Sequence, residues 1–176
     1  AWTMDANYEV VRREYDVRGN LSAVTELATR GSSSLFGAPA LERTRLSQLL
    51  SAALDSTYRH RYDNRGRVDL SLDPLGYSTH TKYNAFGEVE QVTRYAIQGS
   101  HPGASPLDNA TRTVYDRDGR VVASINGNGG VTVYSHDADG RVVEQITYAR
   151  TLPPTAELAD IRNAIDTQVL SHAGHD

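Results

Sequence analysis

Five copies of one short phrase decide what this chain can fold into. They are Tyr15-Asp16-Val17-Arg18-Gly19, Tyr62-Asp63-Asn64-Arg65-Gly66, Tyr83-Asn84-Ala85-Phe86-Gly87, Tyr115-Asp116-Arg117-Asp118-Gly119 and His136-Asp137-Ala138-Asp139-Gly140. Two residues past each glycine stands an apolar side chain: Leu21, Val68, Val89, Val121 and Val142. Each fixed part has a mechanical reason. Asp or Asn in second place hydrogen-bonds its own backbone two residues on and starts a turn. Glycine in fifth place supplies a positive φ at no steric cost. The aromatic residue ends one strand and the apolar residue opens the next, so the phrase reads as a hairpin corner packed on both sides. The flanks agree: Val68, Leu70 and Leu72 alternate with Arg67, Asp69 and Ser71, which is the period of a strand.

The distances between the glycines carry a second level of order. Gly66 to Gly87 is 21 residues and Gly119 to Gly140 is 21 again, whereas Gly19 to Gly66 is 47 and Gly87 to Gly119 is 32. Against the 21-residue cycle, the longer ones hold inserts of 26 and 11 residues. Plain cycles close through Asp73-Pro74-Leu75-Gly76 or Asn126-Gly127-Asn128-Gly129-Gly130. Decorated cycles depart after Leu27-Ala28, Tyr95-Ala96 and Tyr148-Ala149, each at the same offset from its glycine, so all inserts should leave from one end of the hairpins. Apolar spacing predicts helices within two of them. One covers 40–54 (Leu46, Leu49, Leu50, Ala53, Leu54), and the other covers 156–170 (Leu158, Ile161, Ile165, Val169). The stretch 98–108, with two prolines and two glycines, reads as loop. The whole is expected to be one repeat region over 1–176. Its strands fall in about 8–30, 58–96 and 110–150, about ten in all, and its inserts in about 31–56, 97–108 and 151–176.

Composition narrows the function. There is no cysteine, which removes disulfides, thiolate nucleophiles and Cys-ligated zinc. The net charge is −4 with no Lys/Arg cluster, against a nucleic-acid surface. No apolar run approaches the ~18 residues of a membrane-spanning helix, and no basic stretch followed by an apolar one opens the chain as a secretory signal would. The start at Ala1-Trp2 suggests a piece of something longer.

The phrase Tyr-Asp-x-x-Gly-Arg-Val, as in Tyr62–Val68 and Tyr115–Val121, resembles the RHS/YD repeat of bacterial RHS proteins, insecticidal toxin-complex shells and animal teneurins. The preceding Thr79-x-x-x-Tyr83 and Thr111-Arg112-Thr113-Val114-Tyr115 are similar to it too. His136 for Tyr and Asn84 for Asp depart from the pattern, though either side chain can do the structural work. The resemblance implies tandem antiparallel β-hairpins that spiral into a shell segment of a mainly β protein, often around a toxic C-terminal domain. It implies a secreted or cell-surface bacterial protein whose partners are flanking repeats or further copies, an encapsulated domain, and a cell-surface glycan in the adhesive variant. The alternative reading is an extracellular adhesive or carbohydrate-binding repeat module, in which tyrosines would stack on sugars. Buried rings at Tyr62, Tyr83 and Tyr115 favour the shell; exposed coplanar rings favour the adhesive surface.

Enzyme readings are weaker. His60, His80, His101, His136, His172 and His175 are scattered; His172-x-x-His175-Asp176 has a metal-like spacing but sits at a chain end. Asp116-x-Asp118-Gly119 and Asp137-x-Asp139-Gly140 are similar to the opening of calcium loops but lack the later ligands, so turn chemistry explains them. Asp73-Pro74-Leu75-Gly76 resembles the Asp-Pro-x-Gly phrases of the RHS family's self-cleaving core, yet a repeat tyrosine follows at Tyr83, and a plain turn is the expectation. No catalytic, cofactor or metal residues are expected. The residues expected to matter are the repeat-defining ones at the five corners.

Overall fold

The computed structural model describes residues 1–30, 48, 54–99, 105–148 and 151–152. The described residues hold eleven strands: β1 (Trp2–Met4), β2 (Val10–Tyr15), β3 (Leu21–Glu26), β4 (Ser56–Tyr62), β5 (Val68–Leu72), β6 (Tyr77–Tyr83), β7 (Val89–Gln98), β8 (Asn109–Tyr115), β9 (Val121–Ile125), β10 (Val131–His136) and β11 (Val142–Thr147). The fold is mainly antiparallel β, as the repeat implies. Every phrase residue falls where a corner requires it: Tyr or His closes β2, β4, β6, β8 and β10, and the apolar residue opens the strand that follows. The helices expected over 40–54 and 156–170 lie outside the described residues, but for Gln48 and Leu54.

The described residues of 1–78 and 98–99 form one compact unit, and those of 79–97 and 105–152 form another. In the first, β1 to β5 pair in chain order as an antiparallel meander, with Trp2 opposite Arg12, Arg13 opposite Val24, Val24 opposite Tyr58 and His60 opposite Ser71. In the second, β7 to β11 continue the same scheme, with Val92 opposite Thr111, Val114 opposite Ala123, and Val133 opposite both Ala123 and Ile146. Each corner hairpin whose register is defined slips by one residue beside its Tyr or His, between Glu14 and Tyr15, Arg61 and Tyr62, Val114 and Tyr115, and Ser135 and His136. Such bulges raise the local twist and turn an extra side chain toward the partner strand.

Each unit has its own small core. Val10 is fully buried against Trp2, Met4 and Leu27 in the first. In the second, Val114, Ala123, Ile125, Val131 and Tyr148 bury together, flanked by Val122, Val133, Ile146 and Leu152. Ala123 and Val131 have no exposed surface, because a small residue on the central strand lets both neighbours close over it.

The count of eleven strands exceeds the sequence expectation by β1. Its corner, Asp5–Glu9, holds no glycine and so lacks the mark that the other corners carry in the sequence. Asp5 Oδ1 accepts the backbone N–H of Asn7 and Glu9 at 2.9 Å each, and Tyr8 N–H donates to the Asp5 carbonyl. Tyr8 stands in the glycine's place with φ of +64°, the one non-glycine among the described residues with positive φ.

Candidate functional site

The chemistry-bearing residues of this chain converge on its corners. In each Tyr/His corner the backbone makes the same two bonds: the Asx N–H to the carbonyl four residues on, and the glycine N–H back to the Asx carbonyl. The distances run from 2.8 to 3.3 Å. The glycines sit at φ of +85° (Gly19), +78° (Gly66), +99° (Gly87), +78° (Gly119) and +81° (Gly140), the left-handed region a side chain rarely adopts. The Asx side chain then consumes the loop's spare donors. Asp63 Oδ1 takes the N–H of Arg65 and Arg67, and Asp116 Oδ1 that of Asp118 and Arg120. Asp16, Asn84 and Asp137 do the same. Asp73 and Asn126, in the plain-cycle turns at the opposite hairpin ends, repeat the backbone pattern. The expected plain turn at Asp73–Gly76 is therefore a corner of the same class.

The residue after glycine explains the arginine of the phrase. Arg67 Nε donates to Asp63 Oδ2 at 2.8 Å and Arg120 Nε to Asp116 Oδ2 at 2.7 Å; Asn20 Nδ2 does this for Asp16 at 3.0 Å. These donors hold the carboxyls below the ordinary carboxylate range: at Asp16 chiefly the Asn20 side chain, at Asp63 and Asp116 chiefly the backbone N–H of Arg67 and Arg120. Both oxygens of Asp16, Asp63 and Asp116 are engaged. Asp118 and Asp139 are held by Arg120 and Arg141 in turn. The residues similar to calcium-loop openings are committed to turns and ion pairs, and the described residues hold no cluster of three or more metal-ligating side chains. His101, His172 and His175 lie outside the described residues.

The tyrosines do something the sequence did not show. Tyr62 Oη donates to the Leu21 carbonyl at 2.9 Å, and Tyr115 Oη to the Val89 carbonyl at 3.0 Å. Each acceptor is the residue two past the glycine of the preceding hairpin. The hydroxyl thus ties one hairpin to the carbonyl that the previous corner leaves at its strand's first residue. Tyr62, Tyr83 and Tyr115 are half-buried, while Tyr15 is 53% exposed. His136, also half-buried, stands where the tie would be made from β10. Arg61 pairs with Asp69, the extra residue of its bulge, at 2.8 Å, and Lys82 pairs with Glu90 at the same eight-residue spacing at 3.6 Å. In β8 and β9 the corresponding pair is Val114 and Val122, apolar on both sides.

Residues 115–152 match the family model of the RHS repeat. No curated protein matches the chain. Among solved structures, it is similar to TcdB2-TccC3 without its hypervariable C-terminal region, with a TM-score of 0.58 and 16% identity, over 80% of this chain and 6% of that one. It is also similar to a Photorhabdus luminescens Tc holotoxin pore, with a TM-score of 0.54 and 16% identity, over 85% of this chain and 7% of that one. At such identity the likeness carries the fold. The chain spans 6–7% of the length of these solved chains. Residues 115–152 thus carry an RHS repeat, and the corners at Asp16, Asp63 and Asn84, outside the matched stretch, have the same geometry. No helix among the described residues is long and apolar enough to cross a membrane.

Proposed function

We propose that this chain is a structural segment of a large RHS-type protein, secreted or at the bacterial surface, and that it encloses or displays another domain and does no chemistry of its own. The observation that carries the reading is the tyrosine tie: Tyr62 to Leu21 and Tyr115 to Val89 spend the polar tips of the rings on the neighbouring hairpin. An aromatic whose hydroxyl and half its surface serve its own sheet is a building part rather than a sugar platform. The corner aspartates are likewise spent on loop N–H groups and arginines. Its partners are flanking repeats or further copies at the edge strands, and an enclosed C-terminal domain. In the full-length protein that contains this segment, limited proteolysis tests the proposal. The enclosed domain should resist cleavage in the wild type and become cleavable when Gly66→Pro and Gly119→Pro break two corners. Equal cleavage in both would overturn enclosure.

A further inference from the structure

Two inserts of different length leave and re-enter the fold through the same neck. Ala28 N–H donates to Asp55 Oδ1 at 3.0 Å, and Ala96 N–H donates to Asp108 Oδ1 at 2.8 Å. Both alanines stand nine residues past a corner glycine, Gly19 and Gly87. Both aspartates stand one residue before a returning strand, β4 or β8, and seven before its closing tyrosine, Tyr62 or Tyr115. The partners are 27 and 12 residues apart, so neither bond is local turn chemistry. Between them lie residues 29–54 and 97–107, the 26 and 11 residues by which these cycles exceed the plain one.

The strand before each neck is held one step further. Leu27 N–H donates to the Val10 carbonyl and Tyr148 N–H to the Val131 carbonyl, both at 3.0 Å, and each donor is eight past its glycine. Further out, Gly99 N–H donates to Gly76 O at 2.8 Å and Leu152 N–H to Gly129 O at 2.9 Å, each twelve past its glycine. The departing chain therefore lies against the plain-cycle corner at a fixed register, whatever follows. At Gly129, with φ of +81°, the place of a Cβ is already occupied by the Leu152 carbonyl, so that corner accepts the crossing chain only as glycine.

We propose that the alanine N–H and the aspartate carboxylate form a clamp that closes each insert at its neck, making the inserts exchangeable cassettes on a constant frame. The frame runs from glycine to alanine and from aspartate to tyrosine, and it has the same residue count at both necks although the cassettes differ more than twofold in length. Closing a loop grows harder only with the logarithm of its length, so one clamp serves both sizes. A carboxylate suits the position because a backbone N–H bonds a charged acceptor more strongly than a neutral one, and because it carries a second oxygen that can accept from the returning loop. Asp108 Oδ2 does that, taking the Ser105 N–H at 2.8 Å.

In the intact chain, residues 29–54 are replaced by residues 97–107, and Asp108→Ala and Asp108→Asn are made separately. The chimera should keep the parent's strand circular dichroism and a single cooperative melt, with the Leu27 and Ala28 amides as protected from exchange as before. Asp108→Ala should speed exchange of the Ala96 amide on the order of tenfold, the loss expected for one bond to a charged acceptor. Asp108→Asn, which keeps an acceptor oxygen, should speed it less, and the Gly119 amide should not move in either. An unfolded chimera beside a folded parent overturns exchangeability. An Ala96 amide equally protected in Asp108→Ala overturns the clamp.

Discussion

A single hydroxyl links one hairpin to the one before it at Tyr62 and at Tyr115, and its worth can be read by removing or restoring it. Tyr115→Phe deletes the donor to Val89 while keeping the ring, and should cost about 1 kcal/mol in chemical denaturation, the net value of one such bond. His136→Tyr puts a hydroxyl at the same place in the next repeat, where the Val121 carbonyl is the corresponding acceptor, and should gain a similar ~1 kcal/mol. Tyr8→Gly should also stabilise, since a side chain held at φ of +64° carries a strain of about 1–2 kcal/mol, partly offset by the freedom glycine adds to the unfolded chain. The corner carboxyls give a pH signature. Asp16, Asp63 and Asp116 have folded pKa values below their unfolded ones, so their contribution is present above the ordinary aspartate range and is lost as pH falls through the depressed folded values. Melting temperature should therefore drop from pH 5 downward, and Asp63→Asn should flatten part of that slope; an unchanged slope would show that the carboxylate contributes nothing through its charge. At this scale the sequence was readable where geometry is local. Asp-x-x-Gly dictates its own turn, whereas the tyrosine's target on another hairpin leaves no mark in spacing, and Tyr8 breaks the very rule by which corners were found.

Strands are set by their two ends, and both ends are short-range chemistry, which is why the strands from β2 to β11 were legible. β1 was not: three residues long and closed by a corner without glycine, it offers neither period nor punctuation. The bulges beside Tyr15, Tyr62, Tyr115 and His136 were equally hidden, because the strand that carries the extra residue still alternates on either side of it. With them goes a pair that the sequence separates by eight residues, Arg61 with Asp69, and Lys82 with Glu90 stands at the same spacing. The same position holds two apolar groups at Val114 and Val122, and neither charges of opposite sign nor two apolar groups at Glu14 with Ser22 or Ser135 with Val143. Arg61→Asp alone should destabilise by about 0.5–1 kcal/mol through like-charge apposition, and adding Asp69→Arg should recover most of it. Recovery of nothing would mean the pair is decorative. The corners themselves are less forgiving. At Gly119 the φ is +78°, and a Cβ would approach Glu88 Oε1 to 2.7 Å. Gly119→Val should thus cost 1 kcal/mol or more, chiefly through the backbone.

A meander whose last strand is unpaired on one side carries a hazard that a closed barrel does not, namely a strand with an unspent row of donors and acceptors. Among the described residues, β11 pairs with β10 on one side and has no strand partner on the other. Its side chains give little protection: Val142 and Val143 are 55% and 64% exposed, against none for the equally apolar Val131 one hairpin turn earlier. Two earlier hairpins offer the carbonyl two past the glycine, at Leu21 and Val89, to a following tyrosine, and in the last hairpin the residue at that place is Val142. At the other end Tyr15 is more than half exposed, a ring shaped for a tie that no described residue provides. The isolated chain is therefore expected to associate through β11 as its concentration rises, by strand pairing with a further copy. Sedimentation velocity across a wide concentration range reads this directly. Val143→Lys, a charge on an unpaired edge, should weaken association by about tenfold or more while leaving the thermal midpoint nearly unchanged, since the exposed valine contributes little to the core. A wild-type chain that stays monomeric at every concentration, or a Val143→Lys variant that associates as strongly as the parent, would remove β11 as the joining edge.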